Sequence, residues 1–269
     1  MANLAAAMIS TTTGEWNRSI EEWRAGYEDG LAVDDQEIAA EGIMGVGYCH
    51  LGGGNMGDAR PAIEEAIDRS AHGVSDFIHA LSMTLQGMCL FATGNLEAGM
   101  ALVEQARKIQ ERLNDCEGGG VALSFLAQMT FAKGEQERAL ELYRESLELL
   151  KSVGDHPEIA RVHCEMGWTA LAAGNSSRAQ SSFRRAVHAY DVVGSPRGTG
   201  LALLGLAAVE AAENRPDRAV EIAAAAHALS ERAGVVVEHP MDPGVVDRIE
   251  ALKVSIPQTE LDELCLLYT

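Results

Sequence analysis

Aromatic residues make up only 5% of the 269 positions, and Val, Ile and Thr form no alternating runs. Both shortages speak against half-buried strands. The 47% of hydrophobic residues, in which Ala and Leu dominate, therefore belongs to helices packed into a core. Basic residues are also scarce, with 21 Lys and Arg against 40 Asp and Glu and a net charge of −19. That balance repels phosphate backbones and anionic lipid, which excludes nucleic acid binding by this chain alone and favours a cationic partner. The excess is uneven: residues 1–120 hold 7 basic and 19 acidic side chains, whereas residues 172–218 hold six Arg against four acids.

Long apolar runs are missing too. The opening MANLAAAMISTTTGEW has no basic leader, and its apolar part is too short for a signal or a membrane span. Five cysteines, an odd count without a CxxC pair, fit a reducing compartment rather than a disulfide framework, so a cytoplasmic protein is expected.

Catalytic and cofactor motifs are equally sparse. There is no GxSxG and no HExxH, and no carboxylate pair stands out among the acids. The glycine-rich run GIMGVGYCHLGGGNMG, residues 42–57, has no Lys-Ser or Lys-Thr after it and no third glycine where a dinucleotide fingerprint needs one. His163-Cys164-Glu165 places three ligand types side by side, but neighbours on a helix point about 100° apart and cannot converge on one metal. The reading is a non-catalytic chain without cofactor or metal.

What the chain does contain is a period. Gly14, Gly54, Gly94, Gly134, Gly174 and Asn214 stand 40 residues apart, each followed by a polar residue. Seven steps before each come Ala7, Gly47, Gly87, Ala127, Gly167 and Ala207; nine steps after come Trp23, Ile63, Val103, Tyr143, Phe183 and Ala223. Small residues recur five and twelve steps after the anchor as well. Columns that stay small at helical spacing on both sides of a turn mean two helices in close contact, repeated six times. One such hairpin cannot bury its apolar face alone, whereas stacked neighbours form a continuous core.

The glycine before the turn, the glycine at it and the small, bulky, small trio after it resemble the signature of the tetratricopeptide repeat family over residues 1–233. That family's unit is about 34 residues, so 40 implies longer helices or loops. Phrases such as RALELYRESLELLKSVGDHPEIARVHCEMGWTALAAGN are further similar to the C-terminal sensor regions of bacterial LuxR-type and antibiotic-regulator-like signal-transduction ATPases. The resemblance implies an all-α, right-handed superhelical solenoid of about six helix-turn-helix units, with first helices lining the concave surface.

Helix pairs are predicted at 3–13 and 15–33, 36–52 and 56–72, 75–93 and 96–113, 117–133 and 136–153, 156–173 and 176–193, and 196–213 and 216–233. Pro240 and Pro243 break the array, and residues 234–269 are expected to form a C-terminal cap of a helix pair, with helices from near Gly244 and from Pro257. No comparable polar cover stands at the other end, which predicts either a homodimer through the first repeat or a piece of a longer protein. Gly118-Gly119-Gly120 falls between repeats three and four and predicts a hinge.

Given that placement, Tyr48, Met88, Gln128 and Trp168 occupy one column of the groove, and Leu51, Phe91, Phe131 and Leu171 either line it or pack between first helices. Arg161 is the one strong basic candidate there, which disfavours the Lys, Arg and Asn clamp with which some family members hold a C-terminal carboxylate. Arg178, Arg184 and Arg185, with Arg197, Arg215 and Arg218, define a basic patch toward the convex side, either docking an acidic partner or pairing with Asp191, Glu213 and Asp217. Cys49 and Cys89 share a column and read as buried hydrophobes. Two functions fit: a scaffold or regulatory module that binds a partner helix or peptide in an apolar groove, or an effector-sensing fragment of a larger transcriptional regulator ATPase. For the second, Gln128, Arg161 and Trp168 supply the polar groups around a small apolar effector.

Overall fold

A computed structural model describes residues 2–13 and 15–233, with residues 247 and 251 as isolated helical positions. The expected cap at 234–269 lies outside the described residues apart from those two. Among the described residues there are helices and turns and no strand.

The chain divides into two compact units, residues 1–155 and 156–269. The first holds four hairpins, α1 (Ala2–Thr13) with α2 (Trp16–Ala32), α3 (Gln36–Gly52) with α4 (Met56–Ser70), α5 (Asp76–Ala92) with α6 (Leu96–Leu113), and α7 (Cys116–Ala132) with α8 (Gln136–Val153). The second holds α9 (His156–Ala172) with α10 (Ser176–Val193) and α11 (Pro196–Ala212) with α12 (Pro216–Ala233). All these ends fall within two residues of the spans read from the spacing. The largest shortfall is at the end of α4, where His72 and Gly73 adopt φ of 59° and 86° and stop the helix.

The anchors earn their spacing through backbone geometry. Gly54, Gly94, Gly134 and Gly174 have φ of 77°, 85°, 85° and 74°, and Asn214 has 59°. This left-handed conformation lets the chain reverse between the two helices of a hairpin, and it costs a residue with a β-carbon about 1–2 kcal/mol.

A second 40-residue signal governs the turns between hairpins. Asp34, Asn114, Gly154 and Gly194 are also left-handed, at 56°, 55°, 72° and 68°. Directly after them stand Asp35, Asp115, Asp155 and Ser195, with Ser75 in the same column, each just before a first helix. Asp35 accepts hydrogen bonds from the amides of Glu37 and Ile38, Asp115 from Gly118 and Ser195 from Gly198. Each satisfies amides that a helix start leaves unpaired.

Small and bulky columns interlock across each hairpin. A β-carbon on Gly47 would lie 2.6 Å from Ile63 Cγ1, and one on Gly87 would lie 2.9 Å from the Gly99 carbonyl and overlap Val103. In the first unit the first helices of neighbouring hairpins touch one another, α1 on α3, α3 on α5 and α5 on α7, while each second helix packs on the next first helix. Leu4, Ala7, Trp23, Val46, Cys49 and Ala62 form one core there; Trp23 Nε1 donates to Thr11 Oγ1 at 2.9 Å. The second unit is built around Phe183, Trp168, Tyr190, Leu201 and Leu204.

Gly118, Gly119 and Gly120 overturn the hinge expectation. They are buried inside the start of α7, where the Asp115 cap holds the first turn. Ser146 Oγ donates to the Gly120 carbonyl at 2.6 Å, and a β-carbon on Gly120 would meet Leu150 Cγ at 2.7 Å. The glycines here admit a neighbouring helix rather than flexibility.

Candidate functional site

Within the first unit, α1, α3, α5 and α7 form one layer, so side chains at equivalent positions stand in a row. Tyr48 and Met88 are half-buried on α3 and α5, while Gln128, their counterpart on α7, is only 8% exposed. One turn further along, Leu51, Phe91 and Phe131 are all half-buried. Tyr48 is steadied by Trp16 at the start of α2, edge to face with ring centroids 6.2 Å apart. The result is a row of apolar and aromatic side chains with part of each surface still open to solvent.

Glu41 lies two turns before Tyr48 on the same face of α3. Burial, with the charge of nearby Glu37, holds its carboxyl above the usual carboxylate range. Cys49 and Cys89 point inward, and burial pushes both thiols up. Cys49 lies 3.2 Å from Ser19 Oγ and 3.7 Å from Thr11 Oγ1.

The second unit treats its candidates differently. Trp168 is 9% exposed and stands edge to face on Phe183, with centroids 5.1 Å apart and planes at 76°. It is a core residue of that unit rather than a surface for a ligand. Arg161 pairs with Glu158 one turn away at 2.6 Å, both side chains under one fifth exposed. Its charge is therefore offset locally. Gln128 belongs to the first unit and Arg161 and Trp168 to the second.

Of the convex candidates, Arg184 and Arg185 are exposed on α10 and Arg178 is half-buried at its first turn. Of the acids the sequence suggested, Glu213 is met by Arg215, and the partner it did not suggest is Glu210. Arg215 Nε donates to Glu210, Arg215 also pairs with Glu213, and Arg218 lies 3.9 Å from Glu210. Glu210 is 5% exposed on α11, a position that reads as part of an apolar helix. The hydrogen bond from Arg215 is the largest influence holding its carboxyl below the usual range, with Arg218 and Arg184 adding to it. A basic residue at 215, where the other repeats place Asn or Glu, was the available clue.

Among the described residues no group of His, Cys, Asp and Glu could hold a metal ion, and no helix is long and apolar enough to cross a membrane.

Stacked pairs of antiparallel helices with a fixed residue period define an all-α repeat protein. Tetratricopeptide repeat models match residues 78–152, 120–191 and 164–233, more than half of the chain together. The protein belongs to the tetratricopeptide repeat family. No curated protein sequence matches it. Among solved structures it is similar to BtubC (BKLC) from P. vanneervenii, with 19% identity, a TM-score of 0.58, and 86% of this chain and 94% of that one covered. It is similar also to a Rap protein solved in complex with Competence and Sporulation Factor, at 10% identity and a TM-score of 0.66, over 94% of this chain and 74% of that one. A third is a Signal Transduction ATPase with Numerous Domains from Pyrococcus horikoshii that carries a tetratricopeptide repeat sensor. There the identity is 14%, the TM-score is 0.54, and all of this chain aligns with 44% of that one.

Proposed function

We propose that this protein is a non-catalytic interaction module, scaffolding or regulatory, that takes a helix or peptide of a partner protein against the first helices of its hairpins. The supporting observation is the row of half-buried Tyr48, Met88, Leu51, Phe91 and Phe131 on α3, α5 and α7. Side chains of this kind, presented at regular spacing by a rigid stack, suit an amphipathic helix, and Met adapts its shape to the bound surface. A second reading, an effector-sensing regulatory fragment of a larger transcriptional regulator ATPase, is favoured by the likeness to the ATPase with a repeat sensor.

The test is affinity capture from native lysate with the wild type and a Tyr48→Ala, Met88→Ala variant, both verified as helical by circular dichroism. A protein retained by the first and lost by the second supports the module. Equal retention by both removes this face from the interaction. No retained protein at all turns the choice toward the effector reading, which a thermal-shift screen of metabolites then addresses.

A further inference from the structure

The large apolar side chains left in solvent are not scattered. Among the described residues nine are exposed, and seven of these sit where one hairpin passes to the next: Leu31, Val33, Val74, Phe77, Leu113 and Val153 in the first unit, and Val192 in the second. Val33 is 70% exposed and Val153 51%. The turns inside the hairpins are the opposite. Gly53-Gly54-Asn55, Thr93-Gly94-Asn95 and Lys133-Gly134-Glu135 carry no apolar side chain larger than a methyl. Each hairpin thus has one polar end and one apolar end, and the six first-unit residues recur at the same end of successive stacked hairpins.

Solitary exposed apolar residues need no explanation, but a row at repeat spacing does. Its surroundings are acidic toward the first two hairpins, where Asp34, Glu37 and Asp76 are exposed and belong to no ion pair among the described residues, while Arg112 and Lys151 lie beside Leu113 and Val153. We propose that this edge of the first unit docks a cationic amphipathic helix of a partner protein, with its apolar stripe on the row and its Lys or Arg flanks against the acids. The site is separate from the first-helix face proposed above.

The dimensions agree. First helices in direct contact stack about 8–10 Å apart. A docked helix rises about 10.5 Å in seven residues, so apolar side chains seven apart meet one turn of the stack each. Charge complementarity selects the sign: a chain of −19 attracts cationic segments and repels anionic ones.

The experiment titrates a fluorescently labelled 18-residue Leu/Lys helical peptide, with leucines on one face, into the full chain, beside a Leu/Glu peptide of identical apolar face. Three variants accompany the wild type: Val33→Ser/Leu113→Ser/Val153→Ser, Asp34→Lys/Asp76→Lys, and Met88→Ala. The serine variant leaves the net charge unchanged, so nonspecific attraction survives in it and edge docking does not. The wild type is expected to bind the Leu/Lys peptide only, with affinity falling by about tenfold or more in the serine and lysine variants and unchanged in Met88→Ala. The proposal is overturned if the wild type fails to bind the Leu/Lys peptide, if the serine variant binds as well as the wild type, or if both peptides bind equally. Loss confined to Met88→Ala also overturns it, and assigns the peptide to the first-helix face.

Discussion

The Phe183 ring fills recesses opposite two glycines at once. A β-carbon on Gly167 of α9 would come within 2.6 Å of it, and one on Gly205 of α11 would overlap it. Trp168 then closes over the same ring. One aromatic side chain on a second helix thereby joins two consecutive first helices, and a fully buried Phe contributes about 1.5–3 kcal/mol through the area it removes from water.

Adding a methyl group at Gly167 should therefore destabilise the second unit even though Ala is the better helix former. Gly167→Ala is expected to cost about 1–3 kcal/mol through overpacking. In the Phe183→Leu background, where the ring is gone, the same change should cost less. A double-mutant cycle by urea denaturation measures the coupling; strict additivity would refute the contact.

Trp168→Ala should cost about 3–5 kcal/mol, as expected for removal of a large buried ring. Met88→Ala, at a half-buried site, should cost distinctly less. Thermal melts of the two variants separate them, and only Met88 is a sound position for probing partner binding.

The turn anchors predict changes of opposite sign. Gly134→Ala forces a β-carbon into φ 85° and should cost about 1–2 kcal/mol, although nothing lies within 4 Å of that carbon. Asn214→Gly relieves a left-handed residue at φ 59° and should leave stability equal or higher. Equal losses in both variants would contradict the backbone explanation.

Glu210 makes stability depend on pH in a defined direction. Its carboxyl is held below the usual range in the folded protein, so its contribution is fully present above the ordinary carboxylate pKa, about 4.3, and is lost as pH falls through the lower folded value. Glu210→Ala should lower stability at neutral pH by no more than about 1 kcal/mol, since Arg215 is partly exposed and keeps its pairing with Glu213. The difference from wild type should shrink as denaturation is repeated at progressively more acidic pH below 4.3. A gap that widens toward acid would reverse the assigned sign.

The sequence alone determined the period, the helix pairs and their ends. These rest on short-range physics: a left-handed residue reverses the chain at Gly54 or Gly134, and a small residue meets a bulky one sixteen positions later within one hairpin, as Gly47 meets Ile63. The caps at Asp35, Asp115 and Ser195 were readable in the same way at the same spacing. Only the tertiary structure decided exposure. Phe183 is enclosed by both α9 and α11 and takes Trp168 into the core with it, Glu210 meets Arg215 across a turn, and Gly120 admits Leu150; a one-dimensional column shows neither the direction of a side chain nor how many elements surround it. The same holds for Val33, Leu113 and Val153, which read as ordinary helix ends and become an apolar row only when stacking sets them side by side.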